Sequence, residues 1–259
     1  MIPKVTVLMT AFNAEAAVKR AIFSVLNQDY KNLELIIIDD NSTDNTLSLL
    51  KKCKTLDKRI RIISSSENYG TYTCKNYGIR ISTGDYFIVH DSDDHTSPYY
   101  ISKTLEPLLK DKKVSYTGLY KVEDGKYLHQ NIVSLHSTCF HREAIEKIGY
   151  YDAVRFSGDF EYSLRLNHYY GQDLISENNI DAYYYYEKRD NSLTTAEKTK
   201  VGSDARIDYM NKCRNFYDNK GKHVFLYVDF PIKKRLFQID PNSPINIGKP
   251  VDLSSFKEL

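Results

Sequence analysis

The chain has 259 residues, 27% of them charged, with a formal net charge of +2 at pH 7. That length accommodates one large or two small domains around a sizeable core, and so even a balance of charge demands neither a nucleic acid nor an anionic membrane as partner. No apolar run approaches the roughly 18 residues a membrane span needs, and residues 4–10 form a strand pattern instead of a secretory leader, so a soluble, cytoplasmic protein is expected.

The first hundred residues alternate strand and helix signals. Residues 5–9 form a short β-branched run, and residues 15–28 carry Ala17, Ala21, Val25 and Leu26 at roughly helical spacing. Residues 33–38 are apolar on both faces, as a buried parallel strand requires, and end in Asp39-Asp40. Asn41, Ser42, Thr43 and Asp44 offer N-caps for a helix over 43–53. A strand over 60–63, a helix over 71–81, a strand over 86–89 and a helix from Pro98 to about residue 109 complete four βα units. Short connections between such units imply right-handed crossovers and an α/β, doubly wound, mostly parallel sheet.

The second half is less regular. Residues 114–122 and 126–129 flank Glu123-Asp124-Gly125 as a hairpin, an antiparallel addition to the sheet. A short strand over 137–141, a helix over 142–148 closed by Gly149, and a helix over 159–170 before Gly171 follow. Tyrosine is abundant, 22 against no tryptophan, and Tyr183 to Tyr186 read as a strand with two rings on each face. A helix over 201–220 precedes a proline-bearing tail from Asp229, expected to wrap the domain or to be only partly ordered. The four cysteines (Cys53, Cys74, Cys139, Cys213) are far apart without a CxxC pair, which fits packed thiols better than a zinc site or a disulfide scaffold.

Chemistry gathers at the strand ends. In a doubly wound sheet ligands bind beyond the carboxyl ends of the strands, where residues 10–13, Asp39-Asp40 and residues 91–94 would meet. Asp91, Asp93 and Asp94 repel one another unless a cation or shared hydrogen bonds compensate them, so Mg²⁺ or Mn²⁺ bridging to a diphosphate is the expected partner; capping of the next helix is the competing reading. Asp39 or Asp40 could accept from the imide of a uracil or from a ribose hydroxyl, again with capping as the competitor. Thr10-Ala11-Phe12-Asn13 contains no glycine, which disfavours a dinucleotide-binding dehydrogenase. His90 and His95 flank the acidic cluster, where packing is favoured over a place near the metal, and His136 could face an acceptor without being assigned to it.

Taken in order, residues 5–7 and 10–13, Ser24 to Gln28, Glu34 to Asp44, Asn68-Tyr69-Gly70, Lys75 to Gly78, Thr83 to Tyr86 and Asp91-Ser92-Asp93-Asp94 resemble a family 2 glycosyltransferase of the GT-A fold, over about residues 4–195. The resemblance implies an inverting enzyme that takes a nucleotide sugar, commonly a UDP-sugar, with a divalent metal at the DxD motif. It implies a nucleotide-sugar-binding half over 1–110, an acceptor-binding and catalytic half over 111–200, and a helix plus tail over 201–259. Carried over by position, Thr10, Ala11, Phe12 and Asn13 line the nucleotide pocket with Asp39 and Asp40, and Lys75 reaches ribose or phosphate. Asp91 and Ser92 then lie at ribose or sugar, and Asp93, with Asp91 and Asp94, holds Mn²⁺ or Mg²⁺. Arg189 with Ser192 and Thr194 resembles the segment that folds over the diphosphate.

One departure concerns the base: relatives carry a Glu-Asp pair, whereas this chain reads Gly158-Asp159-Phe160-Glu161, which makes Asp159 the expected base and Glu161 the reserve. Capping of the following helix competes for Asp159. The acceptor is a hydroxyl on a glycan, a lipid-linked precursor or a protein. The alternatives are a nucleotide-sugar-binding protein with a decayed base and a nucleotidyltransferase. The basic runs Lys51-Lys52 and Lys233-Lys234-Arg235 read as solvated faces, with peripheral membrane association as the weaker reading, and a homodimer is allowed without being required.

Overall fold

The computed structural model describes residues 2–123, 125–130, 138–171, 175–187, 202–220 and 226–259. In chain order the elements are β1 (Val5–Ala11), α1 (Val18–Leu26), β2 (Leu33–Asp39), α2 (Thr46–Lys54), β3 (Ile60–Ser65), α3 (Thr71–Ile81), β4 (Tyr86–Asp91), β5 (His95–Thr96) and α4 (Tyr100–Lys110). They continue with β6 (Val114–Glu123), β7 (Lys126–Gln130), β8 (Thr138–His141), α5 (Arg142–Ile148), α6 (Gly158–Tyr170), β9 (Ile175–Glu187), α7 (Asp204–Asp218), a 3₁₀ turn (Leu253–Ser255) and β10 (Phe256–Glu258).

Among the described residues these strands form one sheet in the order β10-β3-β2-β1-β4-β8-β6-β9-β5, with β7 hairpinned onto β6. The expected parallel half is β3-β2-β1-β4, and β8 enters antiparallel to both β4 and β6. Two antiparallel steps return β6 to the direction of β4, and β9 runs parallel to β6. The carboxyl ends of β1, β2, β3, β4, β6 and β9 therefore share one edge.

Alternation along each strand divides the core between the two faces. Val5, Val7 and Met9 pack with α1, α2 and α4, whereas Leu8, Ile38, Phe87 and Val89 pack with α3, α5 and α6. Every residue of β2 is buried, as its apolar run predicts. The opposite edge is fixed by Glu34, which accepts from the Thr6 hydroxyl (2.7 Å) and the Thr83 N–H (2.7 Å), with Lys4 and Arg61 alongside. There a Cβ on Gly84 would stand 2.6 Å from the Thr6 backbone nitrogen. Gly84→Ala is accordingly expected to lower stability by roughly 2 kcal/mol, read from urea unfolding at an unchanged m-value.

Several boundaries differ from expectation for physical reasons. α2 begins at Thr46 because the polar residues before it are spent on the neighbouring loop: Ser42 accepts from the Asn13 N–H and Asp44 from the Glu15 N–H. α1 begins at Val18 because the Glu15 carboxylate accepts from the Asn45 N–H and the chain is still turning there. The tail wraps the domain and then enters the sheet: β10 pairs with β3, Phe256 stacks on Tyr77 with centroids 4.2 Å apart, and Ile245 is fully buried. All four cysteines are free and buried. Among the described residues no helix is long and apolar enough to cross a membrane.

Candidate active site

Strand register assembles the site. Thr10 lies opposite Asp91 and Ala11 opposite Asp39, so the ends of β1, β2 and β4 present hydroxyl and carboxylate groups side by side. Asp39 is 1% exposed. Its Oδ2 accepts from the Ser42 N–H (3.3 Å), while Oδ1 has no hydrogen-bond partner among the described residues. Burial raises its carboxyl above the usual carboxylate range, as expected for a charge taken out of water with few donors.

Asp40, expected at the nucleotide together with Asp39, is 3% exposed and hydrogen-bonded within the protein. Its two oxygens accept from the Tyr69 (2.7 Å) and Gly70 (2.8 Å) N–H groups, which fastens the loop leading into α3. Both donors precede the first turn of α3, so Asp40 ties down the approach to that helix and does not cap α2. Asn13 is likewise tied up: it adopts a left-handed φ of 48°, accepts from the Thr43 N–H (2.9 Å) and donates its own N–H to Ser42 (3.0 Å). Thr10 shares a hydrogen bond with Thr71 (2.8 Å), and Phe12 stays 51% exposed at the rim.

The acidic turn after β4 does not form a cage. Among the described residues no group of three or more His, Cys, Asp or Glu side chains is arranged to hold a metal ion. The Asp94 N–H donates to the Asp91 carbonyl, closing a turn in which Ser92 and Asp94 are buried while Asp91 and Asp93 remain half-exposed. The expected trio is therefore not assembled. Asp91 pairs with Lys75 (3.2 Å), itself 5% exposed, and Asp93 is steadied through its carbonyl, which accepts from Arg20 (3.1 Å). Hard oxygen donors at an open edge suit a divalent cation shared with phosphate oxygens, which is how Mg²⁺ is commonly held.

His90 takes the packing role. It is 1% exposed, its Nδ1 donates to the Asp91 carbonyl (2.8 Å), its ring packs against Tyr184, and burial lowers its pKa to about 4, which keeps it neutral. His95 stacks on Tyr185. Tyr184 is buried between His90 and Tyr100, and its hydroxyl accepts from the Asp91 N–H (2.9 Å); Tyr183 and Tyr185 lie together on the other face, as the alternation predicts.

Across the cleft Asp159 sits half-exposed in the first turn of α6, and its Oδ1 accepts from the Tyr72 hydroxyl at 2.6 Å. Lys75 lies over the same ring, 5.5 Å from its centroid, so Tyr72 joins the Lys75–Asp91 pair to Asp159. Glu161 goes elsewhere. It is 1% exposed, pairs with Arg165 (2.8 Å) and accepts from Tyr217 (2.5 Å). Arg189, Ser192, Thr194 and His136 lie outside the described residues. Sequence reasoning missed Tyr72 and Arg206. Tyr72 stands one helical turn before Lys75, a spacing that could have flagged it. Arg206 of α7 donates to Ser157 (2.9 Å) and covers the Phe156 ring, and no local pattern announces it.

This mixed sheet with acidic strand ends is the GT-A architecture. It matches Staphylococcus aureus TarS 1-349, solved in complex with UDP-GlcNAc, at a TM-score of 0.64 and 16% identity over 82% of this chain and 72% of that one. The Glycosyl transferase family 2 profile matches residues 6–165, and the chain belongs to that family. It is 42% identical over 118 residues to an uncharacterized glycosyltransferase of Haemophilus influenzae, covering 46% of this chain and 36% of that one. It is also 31% identical over 119 residues to the GalNAc(5)-diNAcBac-PP-undecaprenol beta-1,3-glucosyltransferase of Campylobacter jejuni, covering 46% and 37%. The chain thus spans less than half the length of either relative.

Proposed function

We propose that this protein transfers a hexosyl or N-acetylhexosaminyl group from a UDP-sugar to a hydroxyl of a glycan or lipid-linked acceptor, with inversion at the anomeric carbon. The observation that carries the reading is Asp39 Oδ1: a buried acceptor without a donor among the described residues, at the end of β2 and across β1 from Asp91 at the end of β4, fits the N–H of a uracil. The UDP-GlcNAc complex of TarS and the undecaprenol-linked substrate in the Campylobacter name support the donor and acceptor classes.

In this mechanism Lys75 and the β4 end hold the diphosphate side. Asp93 with Asp91 would hold a divalent cation, Mn²⁺ or Mg²⁺, which supplies positive charge to the departing UDP. Asp159 accepts the proton of the acceptor hydroxyl as its oxygen bonds to the anomeric carbon and the bond from that carbon to the diphosphate breaks. Glu161, closed in by Arg165 and Tyr217, is set aside as the reserve base.

UDP release from UDP-glucose and UDP-GlcNAc, with and without Mn²⁺, tests the reading; the absence of release from any UDP-sugar would overturn it. A separate expectation concerns Asp39 and is best read with uridine, which has no phosphate to titrate. Because burial raises this carboxyl, it takes up a proton sooner than an ordinary carboxylate as the pH falls, which removes its charge and turns one oxygen into a hydroxyl donor that opposes the uracil N–H. Uridine affinity should therefore weaken as the pH is lowered, starting at a higher pH than an ordinary carboxylate would cause. Asp39→Ala should bind roughly tenfold more weakly at pH 7 and show a flatter profile, checked by NMR titration.

A further inference from the structure

We propose that Tyr72 is the positioning residue that aims Asp159, standing in the space that a side chain at position 158 would otherwise fill. This rests on Asp159 being the base. The phenol is buried at 6% exposure, and its hydroxyl donates to Asp159 Oδ1 at 2.6 Å, the short distance of a charge-assisted bond. The ring itself has little freedom. It packs against Tyr151 with centroids 5.7 Å apart, lies under Lys75, and presses on Gly158, where an added Cβ would stand 2.9 Å from ring carbons and 2.9 Å from the Asp152 carbonyl.

The glycine is therefore not a vacancy left by a lost acid. It is the condition for bringing a tyrosine from α3 against the first turn of α6. Ser157 enters that turn at a left-handed φ of 61° and makes no side-chain cap to α6, and Arg206 holds its hydroxyl from outside. Among the described residues Tyr72 is the rigid hydroxyl donor to the Asp159 carboxylate and selects its rotamer. Tyr72 does not meet the substrate in this arrangement. It acts through the direction of the carboxylate, and a misaimed base loses rate without losing donor affinity.

Tyr72→Phe keeps the ring and removes only the hydroxyl. The expected result is a kcat about tenfold lower with the UDP-sugar KM within about twofold and a Tm close to that of the parent, since the apolar contacts remain. Gly158→Ala should displace the ring and lower kcat similarly, and adding it to Tyr72→Phe should cost little more, because the contact it disturbs is already gone. An unchanged kcat in Tyr72→Phe, a parallel change in KM and Tm, or multiplicative losses in the double variant would each overturn the proposal. Asp159→Asn measured alongside separates the two ideas. If it retains turnover the base assignment fails, whereas if it is inactive while Tyr72→Phe is unaffected only the positioning role fails.

Discussion

Replacing Asp159 with asparagine is expected to lower the turnover of sugar transfer by roughly 10²- to 10⁴-fold, the usual contribution of a positioned general base. The amide keeps the shape of the side chain and an oxygen that can accept from Tyr72, so the first turn of α6 should survive intact. What it cannot do is take a proton from the acceptor hydroxyl. The groups proposed for the donor side, Asp39 at the end of β2 and Lys75 with Asp91 of β4, lie on other elements, so uridine affinity and the KM for the nucleotide sugar should change little. Initial rates of UDP release with and without acceptor check this; turnover within threefold of the parent would place the base elsewhere.

The second large effect is on stability. Glu161 and Arg165 are each 1% exposed and satisfy one another on the inner face of α6, where Arg165 also donates to the carbonyls of Ile148 (2.5 Å) and Tyr150 (2.6 Å). Burial already raises the Glu161 carboxyl above its ordinary range in spite of the guanidinium beside it. Arg165→Met would leave that carboxyl buried with the Tyr217 hydroxyl and would strand the Tyr150 carbonyl, while the Ile148 carbonyl keeps the Val228 N–H, a loss of about 3–5 kcal/mol and a fall in Tm of about 10 °C. A well-packed apolar replacement of both partners should recover much of this, because the pair is costly to desolvate and its main effect is to compensate itself. Thermal melts of Arg165→Met and of Glu161→Leu/Arg165→Met decide the matter: equal losses in the two would mean that the stranded charge is not the cause.

How much of this could be read in advance follows from the range of the interactions. The parallel half was legible because an apolar run such as β2, followed by polar residues and a helical period, encodes its environment within ten residues. The acidic end of β4 was legible for the same reason. Asp159 was singled out through motif order, but its hydrogen-bond partner was not, since Tyr72 lies 87 residues away and reaches it only where α3 meets α6. The partners of Asp40 were hidden for a related reason: Tyr69 and Gly70 lie 29 and 30 residues on, whereas a local reading offers it only the next helix. Strands as short as β5 and β10, of two and three residues, are defined by the neighbours they pair with and carry no period of their own. The three acidic residues after β4 are neighbours in sequence, but in the turn Asp94 is buried while Asp91 and Asp93 stay half-exposed, and the three are not gathered as one group.

The loops after β1, β2 and β3 are sewn to one another: Asn13 to Thr43, Ala14 to Thr46, Asp40 to Tyr69 and Gly70, and Thr10 to Thr71. A rim tied in this way is already in its working shape before any ligand arrives. Binding there need not freeze out loop motion, and the entropy that a floppier pocket would surrender is instead lost once, during folding. Discrimination on this side of the crevice would thus become a matter of lock-like fit to a fixed surface.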